Sequence, residues 1–271
     1  INIKIKIGME NNKRKIEYDN NKNKKLYSKS LKQVDGNVFK KKYYIESVGV
    51  SGELLMENVK HPNLMEFISY YKEKEVNPLT LQDDHFITFY YRYYDRSNWI
   101  DLIDIYNQSE PIKDLISDIY NNRKEISFQL VKVVNFLHSQ NIVHRDIKLD
   151  NILYNTHEKK IILCDFEYCK KIKNNITKKI LIGTPLYYPP EMLNKSLKQI
   201  DYKKVDVWNV GFTIYVIFFN KIPKANEIFW NKDINLNFSS SVVKQLFTST
   251  LNLYPCERKS LDQIIQLEYF K

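Results

Sequence analysis

Five short motifs follow one another in a fixed order between residues 144 and 208, and they constrain the fold of this chain more than any other feature. They are, in order, His144-Arg145-Asp146-Ile147-Lys148-Leu149-Asp150-Asn151, Asp165-Phe166-Glu167, Gly183-Thr184-Pro185, Pro189-Pro190-Glu191 and Asp206-Val207-Trp208. Each motif is weak by itself, but the chance occurrence of all five in this order is negligible. These motifs contain the carboxylates of Asp146 and Asp165, the amide of Asn151 and the ammonium of Lys148. The four groups can act together only if the chain folds compactly around them.

The first part of the chain has the alternation of apolar and polar residues that is typical of strands. Residues 1–7 alternate isoleucine with polar residues, and Asp35-Gly36 is a tight-turn pair between strands predicted at 26–31 and 38–45. The aromatic run at 86–94 also has strand character. These segments predict a small antiparallel sheet, with residues 1–7 as an added edge strand.

Helical patterns dominate the rest of the chain. An apolar helical face at 54–59 ends at His61-Pro62-Asn63, because the residue before a proline disfavours helical geometry. Apolar residues recur at helical spacing over 127–139. The run 205–219 is apolar nearly all round, which is typical of a helix at the centre of a core. The boundary between the β-rich and helical parts is predicted near residues 94–98.

Charge and cysteine content narrow the class of protein. The chain has 42 Lys and Arg against 32 Asp and Glu, a net charge of +10, but the lysines are dispersed in short clusters. We interpret this charge as a solvated basic surface, not as a nucleic-acid interface. No apolar run approaches the ~20 residues that cross a bilayer, and three cysteines do not make a disulfide framework or a zinc site. We expect an intracellular, cytoplasmic protein without a membrane or nucleic-acid partner.

In order and spacing, the five motifs closely resemble those of eukaryotic protein kinases of the Ser/Thr type, over roughly residues 16–270. The resemblance implies an α+β, bilobal kinase fold, with a small β-rich N-lobe at 1–94 and a larger helical C-lobe at 95–271. It also implies transfer of the ATP γ-phosphate to protein hydroxyls, with Mg²⁺, or alternatively Mn²⁺, as the metal. Compared with a minimal kinase, extra residues around 109–123 predict a surface insertion.

The chemistry of phosphoryl transfer fits the residues of these motifs. A site for this reaction must hold a divalent metal with oxygen ligands and orient a hydroxyl in line with the phosphate. Asn151 and Asp165 supply hard oxygen ligands for Mg²⁺, and Asp146 would accept the proton of the substrate hydroxyl. Lys148 would reach the transferring phosphate as a point charge. By the resemblance, Thr184 hydrogen-bonds the Asp146 and Lys148 pair and faces the substrate hydroxyl.

Other motif residues are expected to support the shape of the site. The resemblance implies that His144 and Phe166 pack in the core and that Asp206 holds the backbone of the catalytic loop. It also implies a buried ion pair between Glu191 and Arg258.

The phosphate-binding lysine is expected on a strand of the N-terminal part. In the family this lysine follows a small aliphatic residue by two positions and pairs with a helix glutamate. Val38-Phe39-Lys40 fits this pattern best, because Lys41 would put Phe39 at the adenine edge, and we therefore predict Lys40. Glu53 is the carboxylate nearest to the expected partner position, with Glu57 and Glu46 as alternatives.

The resemblance also implies which residues surround the adenine. Val38 would lie above the base and Leu153 below it. Tyr91, Tyr93 and Tyr94 would belong to the hinge, residues 91–94, whose backbone bonds the base edge. Tyr91 or Tyr90 would be an aromatic gatekeeper that narrows the back pocket.

Two departures from the family pattern remove glycines. Residues 19–25 contain no glycine where the family has a G-x-G-x-x-G loop, although their asparagines tolerate left-handed backbone and their lysines could supply charge. Glu167 replaces the glycine that follows Asp165-Phe166, which adds negative charge beside the metal site and predicts a changed metal or ATP dependence. These departures leave an alternative function, a pseudokinase scaffold with weak or no nucleotide binding.

Arg145, beside Asp146, marks by resemblance the kinases that are regulated by phosphorylation of the activation loop, which corresponds to residues 165–191 of this chain. Thr177 is the candidate phosphosite, although the spacing from Gly183 puts Ile180 at the position where many relatives carry the phosphorylated residue. The basic residues of the same loop suggest, alternatively, an acidic protein substrate.

Overall fold

The computed structural model describes residues 31–76, 83–104, 113–221 and 240–271. The predicted edge strand at 1–7 and the loop at 19–25 lie outside the described residues, as does nearly all of the strand predicted at 26–31. None of the helices in the described ranges is both long enough and apolar enough to span a bilayer.

The described residues of the N-terminal part form a four-stranded antiparallel sheet with the order β1-β2-β4-β3. Its strands are β1 (Leu31–Asp35), β2 (Val38–Tyr44), β3 (Phe67–Val76) and β4 (Asp83–Arg92). Asp35 pairs with Val38 across a two-residue turn in which Gly36 has a φ of 57°, a conformation that glycine adopts without steric cost. The predicted turn at Asp35-Gly36 is confirmed, and strand β1 ends at Asp35.

Helix α1 (Val48–Leu54) connects β2 to β3 and continues into a 3₁₀ turn at Leu55–Asn58. The helical structure ends before His61-Pro62-Asn63, as the proline predicts. The chain then pairs with the C-terminal part, because the backbone amide of Met65 donates to the carbonyl of Leu163 and that of Leu163 donates to Asn63. This connection anchors the end of the α1 segment to the second part of the molecule.

The C-terminal part, in the ranges that the structure describes, is mainly helical and has three small sheets. The three-stranded sheet has the order β5-β7-β8, and the two-stranded sheets are β6-β9 and β10-β11. The elements are β5 (Trp99–Asp101), α2 (Lys113–Ser139), β6 (Ile142–Val143), β7 (Ile152–Asn155), β8 (Lys160–Leu163), β9 (Lys170–Lys171), β10 (Ile176–Lys178), α3 (Pro190–Leu193), β11 (Gln199–Asp201), α4 (Tyr202–Phe219), α5 (Ser241–Thr250) and α6 (Leu261–Ile265).

Helix α4 passes through the centre of this part, and most of its side chains are buried. It begins at Tyr202, because the Asp201 carboxylate accepts hydrogen bonds from the backbone amides of Lys203 and Lys204 and so caps the helix. The helix predicted at 127–139 is confirmed but begins earlier, at Lys113. Of the predicted insertion at 109–123, the part from Lys113 onwards is therefore helix, and the remainder lies outside the described residues. The α+β organisation predicted from the sequence is confirmed.

Candidate active site

The lysine that meets the helix glutamate is Lys41. Its ammonium lies 2.8 Å from Glu53 Oε1 and 2.7 Å from Asp165 Oδ1, and its side chain is 2% exposed. The predicted pairing of Lys40 with the helix glutamate is wrong, because the Lys40 ammonium lies 2.6 Å from Asp35 Oδ2 at the outer face of the sheet. Burial lowers the pKa of Lys41, but attraction to Glu53 and Asp165 outweighs burial and raises it well above its usual value.

The alternation of side chains along β2 explains this correction. Successive residues of a strand point to opposite faces, so Phe39, Lys41 and Tyr43 share one face and Val38 and Lys40 share the other. Lys41 and Tyr43 are buried, whereas Lys40 pairs with a largely exposed carboxylate. The predicted position of Val38 above the base is therefore wrong too, since Val38 faces away from the side that carries Lys41.

Glu53 on α1 is completely buried and accepts three hydrogen bonds. Its Oε1 atom accepts from the Lys41 ammonium and, at 3.0 Å, from the Tyr43 hydroxyl, while Oε2 accepts from the Tyr91 hydroxyl. The structure thus places Glu53, not Glu57 or Glu46, opposite the strand lysine. Three donors on one buried carboxylate hold helix α1 against the sheet.

Tyr91 lies inside the molecule, not at the rim of a hinge. Its side chain is fully buried, and its ring centroid is 6.2 Å from that of Phe166 and 5.6 Å from that of Phe67. Tyr90 lies across from Lys40 on the outer face of the sheet. Of the two gatekeeper candidates, Tyr91 is the one that is buried next to Glu53 and Phe166.

The structure brings four of the predicted catalytic residues together. The Thr184 hydroxyl donates to Asp146 Oδ1 at 2.8 Å, and the Lys148 ammonium lies 2.7 Å from Thr184 Oγ1 and 3.2 Å from Asp146 Oδ2. The Asn151 amide nitrogen donates to the Asp146 backbone carbonyl at 2.8 Å and to Oδ2 at 3.1 Å. The Asp146 carboxylate is thereby held by a hydroxyl, an ammonium and an amide.

Asp206 on α4 fixes the backbone that leads into this group. Its two carboxylate oxygens accept from the backbone amides of His144 and Arg145, each at 2.8 Å, and Oδ2 lies 3.0 Å from His138 Nε2. Arg145 has a φ of 69°, a left-handed conformation that is unusual for a residue with a side chain. The Asp206 carboxylate offsets that strain, since it binds the amide of the strained residue directly.

Asp165 carries the second carboxylate of the site. It has a φ of 65°, and its Oδ1 and Oδ2 atoms contact the ammonium groups of Lys41 and Lys32 at 2.7 Å and 3.3 Å. Burial raises the pKa of this carboxyl, but Lys41 and Lys32 outweigh burial and hold it well below the usual range. Asp165 is therefore an anion at neutral pH.

The oxygens of Asp165 and Asn151 fit a divalent metal such as Mg²⁺. The backbone carbonyl of Asn151 accepts from the Cys164 amide at 2.9 Å, which links the two segments, and the Asn151 amide nitrogen is used by Asp146. The side-chain oxygen of Asn151 is then the atom that remains to bind a metal ion. Within the described ranges, no cluster of three His, Cys, Asp or Glu side chains could hold a metal. Mg²⁺ does not need one, because it takes one or two carboxylates together with waters and phosphate oxygens.

Phe166 and Glu167 pack between the catalytic loop and α1. The Phe166 ring is buried, and its centroid lies 6.0 Å from that of His144. The side chain of Glu167 covers Gly49, where an added Cβ would lie 2.6 Å from Glu167 Cγ. Burial and the neighbouring Asp165 raise the pKa of Glu167. The residue that replaces the family glycine therefore packs against a glycine of helix α1.

The residues expected around the base lie at the junction of the two parts. Leu153 on β7 is buried, and Tyr94 is half-buried with its ring centroid 5.0 Å from that of Trp99. The backbone amide of Tyr93 donates to the Asn37 carbonyl at 2.9 Å, so this donor is already occupied.

Sequence reasoning missed several polar residues that complete the site. Tyr43 could have been found from Lys41, because residues two apart on a strand share a face. No pattern in the neighbouring sequence identifies Lys32 and His138 as site residues, since their partners Asp165 and Asp206 are remote in the chain.

The predicted pair of Glu191 and Arg258 is present and buried. The two guanidinium nitrogens Nη1 and Nη2 donate to Oε1 and Oε2 of Glu191 at 2.6 and 2.8 Å. The same guanidinium lies 4.8 Å from the centre of the Trp208 ring on α4. This bidentate pair joins helix α3, which carries Glu191, to the chain between α5 and α6, which carries Arg258.

The model of the protein kinase domain family matches residues 18–270. The fold and the site therefore define a protein kinase domain, and the chain belongs to that family.

Several curated relatives agree with this assignment. A probable serine/threonine-protein kinase PLK of Dictyostelium discoideum is 28% identical over 209 residues, which cover 70% of this chain and 20% of that protein. Serine/threonine-protein kinase plk-2 of Caenorhabditis elegans is 28% identical over 207 residues, 70% of this chain and 31% of that protein. A putative serine/threonine-protein kinase R436 of Acanthamoeba polyphaga mimivirus is 33% identical over 159 residues, 58% of this chain and 52% of that protein. The chain thus matches only a fraction of the length of these relatives.

Proposed function

We propose that this chain is an active Ser/Thr protein kinase that transfers the γ-phosphoryl group of ATP to protein hydroxyls. The observation that carries the proposal is the joint presence of two groups, Asp146 with Lys148 and Thr184, and Asp165 with Lys41 and Glu53. The first group holds a general base beside a cation, and the second holds an anionic metal ligand beside a buried cation. Phosphoryl transfer requires both kinds of group.

Asp146 is the general base in the proposed reaction. Its carboxylate takes the proton of the acceptor hydroxyl while the hydroxyl oxygen forms a bond to the γ-phosphorus and the bond from that phosphorus to ADP breaks. Lys148 stabilises negative charge on the transferring group, and Thr184 fixes the rotamer of Asp146 through its hydrogen bond. Metal bound by Asn151 and Asp165, Mg²⁺ or Mn²⁺, would neutralise charge on the phosphates.

We place the nucleotide between the two parts of the chain. Lys41 replaces Lys40 as the proposed phosphate-binding lysine, because its ammonium points to Glu53 and Asp165. Leu153 lies below the proposed base site, and Phe39, on the face of Lys41, lies above it. The carbonyl of Tyr93 and the backbone of Tyr94 form the proposed hinge, since the Tyr93 amide already donates to Asn37. We keep the division into an N-lobe at 1–94 and a C-lobe at 95–271, since β4 ends at Arg92 and β5 already pairs with β7.

The proposal is tested by transfer of radiolabel from ATP to a generic protein substrate, with the Asp146→Asn and Asp150→Asn variants in parallel. Asp150 is exposed on the same loop, which makes it a matched control. We expect Asp146→Asn to lose about 10²–10⁴-fold in rate, the usual contribution of a general base, and Asp150→Asn to stay near wild type. Equal labelling by wild type and Asp146→Asn would contradict the proposal.

The scaffold alternative makes a different prediction in the same assay. Glu167 and the glycine-free segment at 19–25 are the observations that favour it. Wild-type protein that shows a nucleotide-induced thermal shift without any transfer would support a nucleotide-binding scaffold. Absence of both transfer and shift would support a scaffold that does not bind nucleotide.

We further propose that the protein substrate is acidic near the phosphorylated residue. A surface groove of about 690 Å³ lies beside the activation loop. Leu181, Leu193 and Leu197 give it an apolar floor, and each of these side chains is substantially exposed. Lys178, Lys195 and Lys198 also line it. An apolar groove with a cationic rim complements a peptide that carries acidic and bulky apolar residues.

Substrate preference is tested with two serine peptides of equal length, one acidic with apolar residues and one basic. Charge reversal of the rim, Lys178→Glu with Lys195→Glu and Lys198→Glu, should raise KM for the acidic peptide about tenfold or more. The charge-matched control reverses three exposed lysines elsewhere, Lys113, Lys124 and Lys244. The same KM increase in both triple variants would argue against a specific groove.

We also propose a cytoplasmic location, as expected from the sequence. Cys164, Cys169 and Cys256 are all free thiols, which fits a reducing compartment.

A further inference from the structure

The hydroxyl of Tyr202 binds the backbone of the activation loop at a single residue. Tyr202 is the first residue of α4 and is completely buried. Its hydroxyl oxygen accepts from the Ile180 backbone amide at 2.8 Å, and the hydroxyl donates to the Ile180 carbonyl at 3.0 Å. A phenol can do both at once, because its oxygen is both donor and acceptor. Residue 180 is therefore held through both of its backbone polar groups.

The ring of the same tyrosine supports the catalytic loop. The Arg145 guanidinium lies 5.3 Å from the centre of the Tyr202 ring, and Arg145 Nε donates to the Tyr168 carbonyl at 2.6 Å. Arg145 immediately precedes Asp146, the proposed general base. Tyr202 thus contacts two segments that must be correctly placed relative to each other, the catalytic loop and the activation loop.

The two segments meet again three residues further along the activation loop. An added Cβ at Gly183 would lie 2.5 Å from the Arg145 carbonyl and 3.2 Å from Asp146 Oδ1. Only a glycine allows this approach, and Gly183 also has a φ of 88°. Thr184 follows directly and donates to Asp146. A shift of residue 180 would move Gly183 and Thr184 away from this close contact.

Contacts within the chain hold the residues before 180 as well. Strands β10 and β11 pair from Ile176 to Lys178, and the Lys179 amide donates to the Lys198 carbonyl at 2.8 Å. The Lys179 ammonium donates to the Asn194 carbonyl. The Thr177 hydroxyl is buried in β10, so its modification would require the strand to separate. These contacts place the residues before Ile180 against β11 and the chain at Asn194.

We propose that Tyr202 is a positioning residue for phosphoryl transfer, whose hydroxyl holds residue 180 so that Thr184 meets Asp146. This inference rests on the proposed kinase function. Tyr202 itself touches neither substrate nor the reacting atoms. It acts through Ile180 and Gly183 on the hydrogen bond between Thr184 and Asp146.

The test uses Tyr202→Phe, which keeps the ring beside Arg145 and removes only the hydroxyl. Tyr254→Phe, at an exposed tyrosine of the same part of the chain, is the control. We expect kcat to fall about tenfold with KM for ATP unchanged, because loss of the hydroxyl removes its two hydrogen bonds to Ile180 and its interaction with Arg145, while the contacts of Lys41 remain. An unchanged kcat would overturn the proposal. A rise in the KM for ATP as large as the fall in kcat would overturn it as well.

Amide hydrogen exchange separates this inference from the kinase proposal, because it needs no activity. In Tyr202→Phe, the amides of residues 180–184 should exchange faster, while those of α2 should not change. Unchanged exchange at 180–184 would overturn the inference, even if the wild-type protein is an active kinase. If wild type shows no Asp146-dependent transfer, the kinase proposal fails, whereas the exchange result still decides whether Tyr202 holds the loop.

Discussion

At the scale of single residues, the buried ammonium of Lys41 is the most consequential charge of the site. A buried cation is costly unless it is paired, and Lys41 has two carboxylate partners, Glu53 and Asp165. Removal of Lys41 would leave the buried carboxyl group of Glu53 with the hydroxyls of Tyr43 and Tyr91 as its partners among the described residues. The lysine therefore supports both the proposed phosphate contact and the position of helix α1.

The adjacent lysine provides a matched comparison. We expect Lys41→Met to lower kcat/KM for ATP about 10²-fold or more, since a cation aimed at charge in the site is lost. Lys40→Met should remain close to wild type, because Lys40 pairs with a largely exposed Asp35 and lies over the Tyr90 ring, away from Glu53 and Asp165. The measurement is steady-state transfer of radiolabel at a temperature where both variants are folded by circular dichroism. A larger loss for Lys40→Met would restore the original assignment.

At the scale of elements, helix α1 packs closely against the segment that follows Asp165. An added Cβ at Gly52 would collide with the backbone carbonyl of Phe166, and one at Gly49 would collide with the side chain of Glu167. Two glycines three residues apart on a helix face the same neighbour. Glu167, which departs from the family pattern, is thus accommodated by a small residue on the helix that carries Glu53.

This packing predicts a specific rescue. Gly49→Ala should reduce kcat/KM about tenfold, because overpacking by a methyl group displaces α1 and separates Glu53 from Lys41. Adding Glu167→Gly should restore much of the activity, since it removes the side chain that the methyl group meets. Gly52→Ala should not be rescued by the same change, because its obstacle is backbone. Equal rescue of both glycine variants would contradict the packing argument.

The predicted effect of Glu167 on metal or ATP dependence stays a prediction. Its raised pKa, caused by burial and by Asp165, means that deprotonation of Glu167 is disfavoured in the folded chain. Saturation curves for ATP and for Mg²⁺ in Glu167→Gly are the direct measurement, and curves identical to wild type would dispose of the idea.

At the scale of the whole molecule, the pair of Glu191 and Arg258 connects distant parts of the C-terminal region. Arg258 also donates to the carbonyls of Asn252 and Lys204, at 2.8 and 2.9 Å. The Arg258 side chain thus links helix α3, the start of α4 and the chain after α5. Removal of one partner leaves the other buried and unpaired.

We expect Arg258→Met to lower the free energy of unfolding by about 3–5 kcal/mol, the usual cost of breaking a buried ion pair. The double variant Glu191→Leu/Arg258→Met should be less destabilised than the sum of the single variants, because it leaves no unpaired charge. Urea denaturation followed by circular dichroism measures each value. Additive losses would show that the two side chains contribute independently.

The members of the proposed catalytic group, which the structure brings into contact, could be listed from the sequence almost completely. Asp146, Lys148 and Asn151 lie within one short loop, so their spacing and their chemistry are local properties. Thr184 is remote in the chain, but its motif marked it, and the structure brings its hydroxyl to 2.8 Å from Asp146. The elements with strong periodicity, such as the helix at 205–219, were found for the same local reason.

The sequence by itself determined the family, the order of the elements and the residue types of the site, because motifs and periodicity are written in neighbouring residues. Only the tertiary structure decided which lysine of the run 40–42 enters the site. Because side chains alternate along a strand, Lys40 and Lys42 lie on one face of β2 and Lys41 lies on the other. Which face enters the site depends on the register of β2 with β4 and on which face α1 covers. The same holds for Tyr202, whose partner at residue 180 becomes a neighbour only when α4 packs beneath the activation loop.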